Sequence, residues 1–119
     1  MELTALFKSL IDQDTSPVVI CDTEHKIVYM NPVACKRYEK FGGEKLLGNS
    51  LLDCHGGKSN ELIIRVVQWF KESKDNNRIH TFYSDQENKD VYMIALRDEE
   101  DKFIGYYEKH EYRDREMEF

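Results

Sequence analysis

The sequence contains one adjacent pair of side chains that could bind iron or act in nucleophilic catalysis, Cys54 and His55. A single axial histidine or cysteine can hold haem iron in a large apolar cavity, so this pair would suffice for haem or another iron-containing ligand. In the alternative interpretation, Cys54 packs in the interior and His55 forms hydrogen bonds with nearby backbone. We favour the packing role and keep the haem role as a rival hypothesis.

Zinc binding and cysteine catalysis both lack the residues that they need. A structural zinc site takes four protein ligands and a catalytic site takes three. The remaining candidates are scattered with no metal spacing: Cys21, His25, Cys35, His80 and His110. Neighbouring residues in extended backbone point in opposite directions, so His55 is poorly placed as a general base for Cys54. We therefore predict no metal site and no enzymatic activity.

The run Gly57-Lys58-Ser59 is similar to the end of a phosphate-binding loop. That pattern requires another glycine five residues before its second glycine, and Leu52 occupies this position. Without the glycine the backbone cannot easily wrap a phosphate group. We predict instead that Ser59 is the N-cap of a long helix that runs to about Ser73.

Composition limits the class of protein. A chain of 119 residues fits one domain with its own core. The 23 acidic and 17 basic side chains give a formal charge of −6, which disfavours nucleic acid as a partner. Three cysteines without a C-x-x-C pair indicate a reducing compartment, so we expect a cytoplasmic location. No apolar run approaches the roughly 20 residues of a membrane span, and we expect no membrane partner.

Candidate chemical groups must be positioned by the secondary structure, which begins with an amphipathic helix over residues 1–13. Its apolar residues recur at helical spacing: Leu3, Leu6, Phe7, Leu10 and Ile11. A terminal helix stays ordered only when its apolar face is covered. We expect this face, or the sheet beside it, to form a homodimer contact.

A β-hairpin and short helices follow. Strands are predicted over residues 17–21 and 26–30. Asn31 is suited to N-cap the next helix, and Pro32 fits its first position because a proline lacks only an N–H that would have no partner there. Another helical turn over residues 44–47 should stop at Gly48, and residues 51–57 should be a loop.

The last third of the chain predicts three strands, over residues 78–84, 90–97 and 102–112. With the early hairpin they would form one five-stranded antiparallel sheet, helices on one face and a cavity between. The fold class is therefore α+β. Residues 14–112 form the predicted domain, and 113–119 a charged tail or connector.

This layout resembles the PAS sensor fold over about residues 17–112. The resemblance is carried by Asn31-Pro32-Val33-Ala34, Leu46-Leu47-Gly48-Asn49-Ser50, and Arg97-Asp98 leading into Ile104-Gly105. It implies a sensory or regulatory role, commonly with dimerisation, and does not name a ligand. The Asp-Ile-Thr triplet that usually ends PAS domains is replaced by Tyr112-Arg113-Asp114.

A closer resemblance concerns the segment from Leu52 to Ser59. It is similar to the Cys-His-Pro-Pro-Lys-Ser stretch of a bacterial PAS subgroup found in proteins that also carry hemerythrin-like domains. Both prolines of that stretch are glycines here, Gly56 and Gly57.

Strand alternation and the resemblance together predict which residues would line a ligand cavity. They are Val19, Cys21, Val28, Tyr38, Cys54, His55, Met93, Ala95 and Tyr107. The prediction is a cytoplasmic sensory or regulatory PAS-like signalling module that binds a small ligand in its cavity, mediates dimerisation and protein interaction, or does both. The rival hypotheses are a haem or iron sensor that uses His55 or Cys54, and a purely structural dimerisation domain with no ligand.

Overall fold

The protein is described by a computed structural model that covers residues 2–54 and 56–119, with Cys54 described in its backbone only. Its five strands form one antiparallel sheet in the order β2-β1-β5-β4-β3. They are β1 (Val19–Cys21), β2 (Ile27–Met30), β3 (Arg78–Ser84), β4 (Lys89–Arg97) and β5 (Phe103–Tyr112). The predicted five-stranded antiparallel sheet and the α+β class are confirmed.

Three α-helices and several short 3-10 helices accompany the sheet. The α-helices are α1 (Leu3–Asp12), α2 (Pro32–Arg37) and α3 (Gly57–Glu72). The 3-10 helices are Glu39–Phe41, Gly43–Leu46 and Leu51–Cys54. None of these helices, within the part of the chain that the structure describes, has the length and apolarity needed to cross a bilayer.

Asn31 begins α2 as predicted and also fixes the segments before it. Its side-chain oxygen accepts hydrogen bonds from the backbone N–H groups of Ala34 and Val18, both at 2.9 Å. Its amide nitrogen donates to the carbonyl oxygens of Ile11 and Ser16, both at 3.0 Å. The Asn31 side chain is fully buried, and its four hydrogen bonds connect three segments: the end of α1, the residues before β1, and the start of α2.

The predicted start of the long helix is wrong. Helix α3 begins at Gly57 with Gly56 as its N-cap, so Ser59 lies inside the first turn. The predicted loop before it contains the 3-10 helix that ends at Cys54. The Asn60 backbone N–H already donates to the Gly56 carbonyl oxygen at 3.0 Å. Two consecutive glycines are typical of a loop, but here the backbone hydrogen bonds of the helix begin at Gly56.

The core lies between α3 and one face of the sheet. Helix α3 buries Ile63, Val66, Val67 and Phe70, and its polar residues Glu61, Arg65, Gln68 and Glu72 are exposed. On the sheet side the core includes Cys21, Ile27, Met30, Met93 and Tyr106. Helix α3 therefore packs on the sheet through a single apolar face, as its 3.6-residue periodicity predicts.

Arg97 connects the end of α3 to β4. Its Nη2 donates to the carbonyl oxygens of Phe70 (2.6 Å), Ser73 (2.9 Å) and Asn76 (3.2 Å). Its Nε donates to the Asn77 side-chain oxygen at 2.6 Å. A guanidinium at this position satisfies carbonyl groups that the last turn of a helix leaves without partners.

Helix α1 is held at its C-terminal end and is exposed along its apolar face. The Tyr29 hydroxyl on β2 donates to the Asp12 carboxylate, and Lys109 Nζ on β5 lies 3.3 Å from an Asp14 carboxylate oxygen. No residue of α1 is buried. Leu3 and Leu10 are 64% and 73% exposed, so the apolar face contacts little of the domain itself.

Candidate functional site

A cavity of about 370 Å³ lies between the sheet and the short helices. This volume falls at the lower end of the range for small-molecule sites. The lining residues come from the start of β1, from β2, α2, the short helices and β5: Pro17, Val19, Ile27, Met30, Tyr38, Phe41, Leu46, Asn49, Leu51, Asp53, Tyr106, Glu108 and His110. Most of these side chains are apolar, so the cavity suits a small molecule with an apolar body.

The polar groups of the cavity come mainly from β5. Tyr106, Glu108 and His110 alternate along this strand and therefore share its inner face. Glu108 Oε2 lies 3.8 Å from His110 Nε2. His110 is only 7% exposed, and its Nδ1 is buried without a hydrogen-bond partner among the described residues. This nitrogen is a polar group whose partner the protein itself does not supply.

Tyr106 connects the cavity wall to the turn between β1 and β2. Its hydroxyl lies 2.7 Å from His25 Nδ1, and the two rings meet edge to face. Burial raises the pKa of Tyr106 far above the usual tyrosine value and lowers the pKa of His25. Both groups are therefore neutral near pH 7 and share one hydrogen bond.

Tyr38 supplies a second neutral hydroxyl. Its pKa is raised, chiefly by burial, so it stays protonated near pH 7. Its ring packs against the hydrophobic core from the end of α2.

The fixed charges around the cavity are negative. Asp53 and Glu108 are its acidic lining residues, and no lysine or arginine stands among the lining residues that the structure describes. The neighbouring Lys109 lies on the opposite face of β5 and reaches Asp14. An anionic ligand would meet no compensating cation along this wall.

A smaller cavity of about 250 Å³ adjoins the first and shares Tyr38, Glu108 and His110 with it. Its basic residues, Arg37 and Lys89, pair with Glu87 at 2.8 Å and 3.1 Å. Arg37, with a smaller effect of Lys89, lowers the pKa of Glu87 to about 2. The cations of the second cavity are therefore already paired within the protein.

The predicted lining residues are only partly brought together. Val19 and Tyr38 line the cavity, Met93 lines the adjoining one, and Cys21 and Ala95 belong to the surrounding core. The predictions for the Cys54 side chain and for His55 lie outside the described residues.

Val28 and Tyr107 do not lie where the sequence predicted. Val28 is 51% exposed, because Ile27 and Met30 are the residues of β2 that face inward. Tyr107 pairs with Ile20 and Ile94 on the outer face, and Tyr106 takes the inner position. Counting the alternation of β5 from Tyr106 would have included Glu108 and His110, which the sequence reasoning missed.

The fold of this chain is similar to the folds of several solved structures. A PAS domain from Colwellia psychrerythraea matches with a TM-score of 0.67 and 13% identity, over 92% of this chain and 95% of that chain. A sensory box sensor histidine kinase from Vibrio cholerae matches with a TM-score of 0.59 and 18% identity, over 92% and 90% of the two chains. The chain therefore has the PAS fold.

Another structural match is the Aer2 receptor from Vibrio cholerae, described as a dual PAS-heme oxygen sensor. Its TM-score is 0.55 at 15% identity, over 82% of this chain and 93% of that chain. No protein-family model matches the sequence, and no curated protein matches it. The similarity is thus one of fold.

Proposed function

We propose that this protein is a cytoplasmic, non-enzymatic sensory or regulatory module that binds a small molecule in its central cavity and dimerises through α1. The observation that carries the proposal is a cavity of about 370 Å³ in a PAS fold, in which the buried His110 Nδ1 has no hydrogen-bond partner among the described residues. Structural matches to a sensor kinase and an oxygen sensor support a signalling role. A core filled only for dimerisation would contain neither the cavity nor the unpaired nitrogen.

A signal would leave the cavity through backbone contacts of β5. The His110 carbonyl oxygen accepts a hydrogen bond from the Ser16 hydroxyl at 3.3 Å. Ser16 in turn accepts from the Asn31 amide, which also bonds Ile11 in α1. A ligand that binds one of two arrangements of this network more tightly would shift the population of α1 positions.

Dimerisation is proposed through the exposed apolar face of α1. Leu3, Leu6, Phe7 and Leu10 are each between 45% and 73% exposed. Four large apolar side chains in one stripe form the kind of surface that proteins usually cover with a partner. A second copy of the same helix would supply a matching stripe.

The ligand-binding part of the proposal can be tested with 2-phenylethanol, a small neutral molecule with an apolar ring. Binding to the folded state must raise the melting temperature as the probe concentration rises. Val19→Phe fills the cavity from β1 and should abolish this rise. Val28→Phe adds the same group on the exposed side of β2 and should preserve it. The proposal would be contradicted if the melting temperature did not rise with probe concentration, or if it rose equally for both variants.

Haem is the alternative ligand that Cys54 and His55 suggest. Haem is larger than most drug-sized molecules, and a cavity of about 370 Å³ is near the lower limit for those. The cavity volume therefore does not favour haem, and the residues that suggested it, His55 and the Cys54 side chain, lie outside the described residues. Haem stays a rival hypothesis.

A further inference from the structure

We propose that the cavity takes a small organic cation, with an apolar body and a primary ammonium or similar nitrogen donor group, which Glu108 and His110 bind together. This inference rests on the proposed function, because it names the class of ligand for the same cavity.

Glu108 provides the negative charge. Its carboxylate lines a largely apolar cavity, and the nearest cationic or titratable nitrogen is His110 Nε2, at 3.8 Å. No lysine or arginine of the described residues forms an ion pair with it. The Glu108 side chain is 33% exposed, so the apolar walls lower the local dielectric constant only in part, and a bound cation still gains more here than it would at a fully exposed carboxylate.

His110 provides a second, independent acceptor. Its Nε2 lies 3.8 Å from a Glu108 carboxylate oxygen. Nδ1 is buried without a hydrogen-bond partner among the described residues, and it accepts a hydrogen bond when the ring proton is on Nε2. A ligand that satisfies both groups must bring at least two N–H or O–H donors, and an ammonium group carries three.

The remaining charges disfavour an anion. Asp53 adds a further carboxylate at the rim, where it is exposed. Arg37 and Lys89 in the adjoining cavity are paired with Glu87, so they are not free to bind a ligand carboxylate or phosphate. Electrostatic complementarity therefore favours a positive ligand.

The apolar part of the cavity defines the body of the ligand. Val19, Ile27, Met30 and Leu46 form aliphatic walls, and Tyr38 and Tyr106 add aromatic rings. Aromatic faces also attract cations, which strengthens the same preference. The volume admits a molecule of about the size of one ring with a short chain.

The test compares three probes that share a phenyl ring and a short chain: 2-phenylethylammonium, 2-phenylethanol and 3-phenylpropanoate. Affinities are measured by calorimetric titration of the full chain at pH 7. We expect the ammonium probe to bind about tenfold more tightly than the alcohol, the effect of one charge-assisted hydrogen bond. The carboxylate probe should bind more weakly than either.

Glu108→Gln should remove the preference for the ammonium over the alcohol. Glu99→Gln is the matched control, because it removes the same charge at the exposed turn before β5. It should retain the preference. If Glu108→Gln does not fold, the order of the three probes with the unmodified protein decides the question.

Three results would overturn the inference. If the ammonium binds no more tightly than the alcohol, or if Glu108→Gln keeps the preference, the ligand is not an organic cation. The proposed function is then still supported, provided that the alcohol binds. If none of the three probes binds, the inference and the proposed function both fail.

Discussion

The Tyr106 hydroxyl on β5 lies 2.7 Å from His25 Nδ1 in the turn that connects β1 to β2. Tyr106 is almost completely buried, and Tyr106→Phe would leave His25 Nδ1 without this hydrogen-bond partner. We expect the free energy of unfolding to fall by about 1–2 kcal/mol. Urea denaturation would measure this change. Tyr107→Phe, on the outer face of the same strand, is the control and should change the value by less; an equal loss would show that the bond contributes nothing specific.

The same contact predicts a dependence of stability on pH. Burial lowers the pKa of His25 below the usual histidine value of 6.5, so protonation favours the unfolded state. The contribution is present above pH 6.5 and is lost as the pH falls through and below that value. His25 has a φ of 70°, which asparagine tolerates, so His25→Asn removes the titration without imposing a forbidden backbone conformation. Stability curves from pH 8 to pH 5 should be flatter for the variant; parallel curves would refute the assignment.

Arg97 should stabilise the junction between α3 and β4. Arg97→Met keeps much of the aliphatic length and removes every hydrogen bond to the three carbonyl groups. We expect a loss of about 2–3 kcal/mol, because these bonds have a charged donor. Arg115→Met removes a side chain that is 81% exposed and should cost almost nothing. Denaturation midpoints that match for the two variants would contradict the proposed capping role.

Gly105 is required by the close approach of β5 and β1. A Cβ atom at this position would lie 2.5 Å from the Cys21 carbonyl oxygen. Gly105→Ala should therefore destabilise the protein by about 1–3 kcal/mol, as overpacking does. Gly57→Ala adds the same methyl group at the start of α3, where no other part of the described chain lies within 4 Å of the new Cβ, and should be neutral or slightly stabilising. Thermal melts of both variants would test this difference in sign.

The apolar face of α1 predicts the oligomeric state. Leu10 is 73% exposed, and Leu10→Asp would place a charge in the proposed dimer contact. We expect the unmodified protein to elute as a dimer in size-exclusion chromatography with light scattering, and Leu10→Asp to shift it towards the monomer. Ser9→Asp, one residue earlier on an exposed position, should remain dimeric. A monomeric unmodified protein would rule out this contact.

Local signals in the sequence predicted the fold well where one residue type determines the backbone. Asn31 and Pro32 marked the start of α2, and period-two alternation identified the late strands. The predicted start of α3 was wrong because consecutive glycines are typical of loops, whereas here Gly56 is the N-cap and Gly57 the first residue of the helix. Tertiary packing of the later turns of α3 outweighs the low helix propensity of glycine.

The cavity was harder to predict than the sheet. A strand with tyrosines at both Tyr106 and Tyr107 gives no local sign of which ring faces inward, and an error of one position exchanges the two faces. The inward choice depends on the register with β4, where Val91 pairs with His110 and Met93 with Glu108. That register arises from contacts between distant parts of the chain, so Glu108 and His110 could not be assigned from their own neighbourhood.

The four hydrogen bonds of the Asn31 side chain limit how this domain can transmit a change. Rotation of α1 relative to the approach to β1 would break the bond to Ile11 or the bond to Ser16 and leave a buried amide N–H without an acceptor. The end of α1 and this edge of the sheet should therefore move together as one rigid unit. A conformational change would then be transmitted as a tilt or translation of that unit, and unwinding of α1 at this junction would be strongly disfavoured.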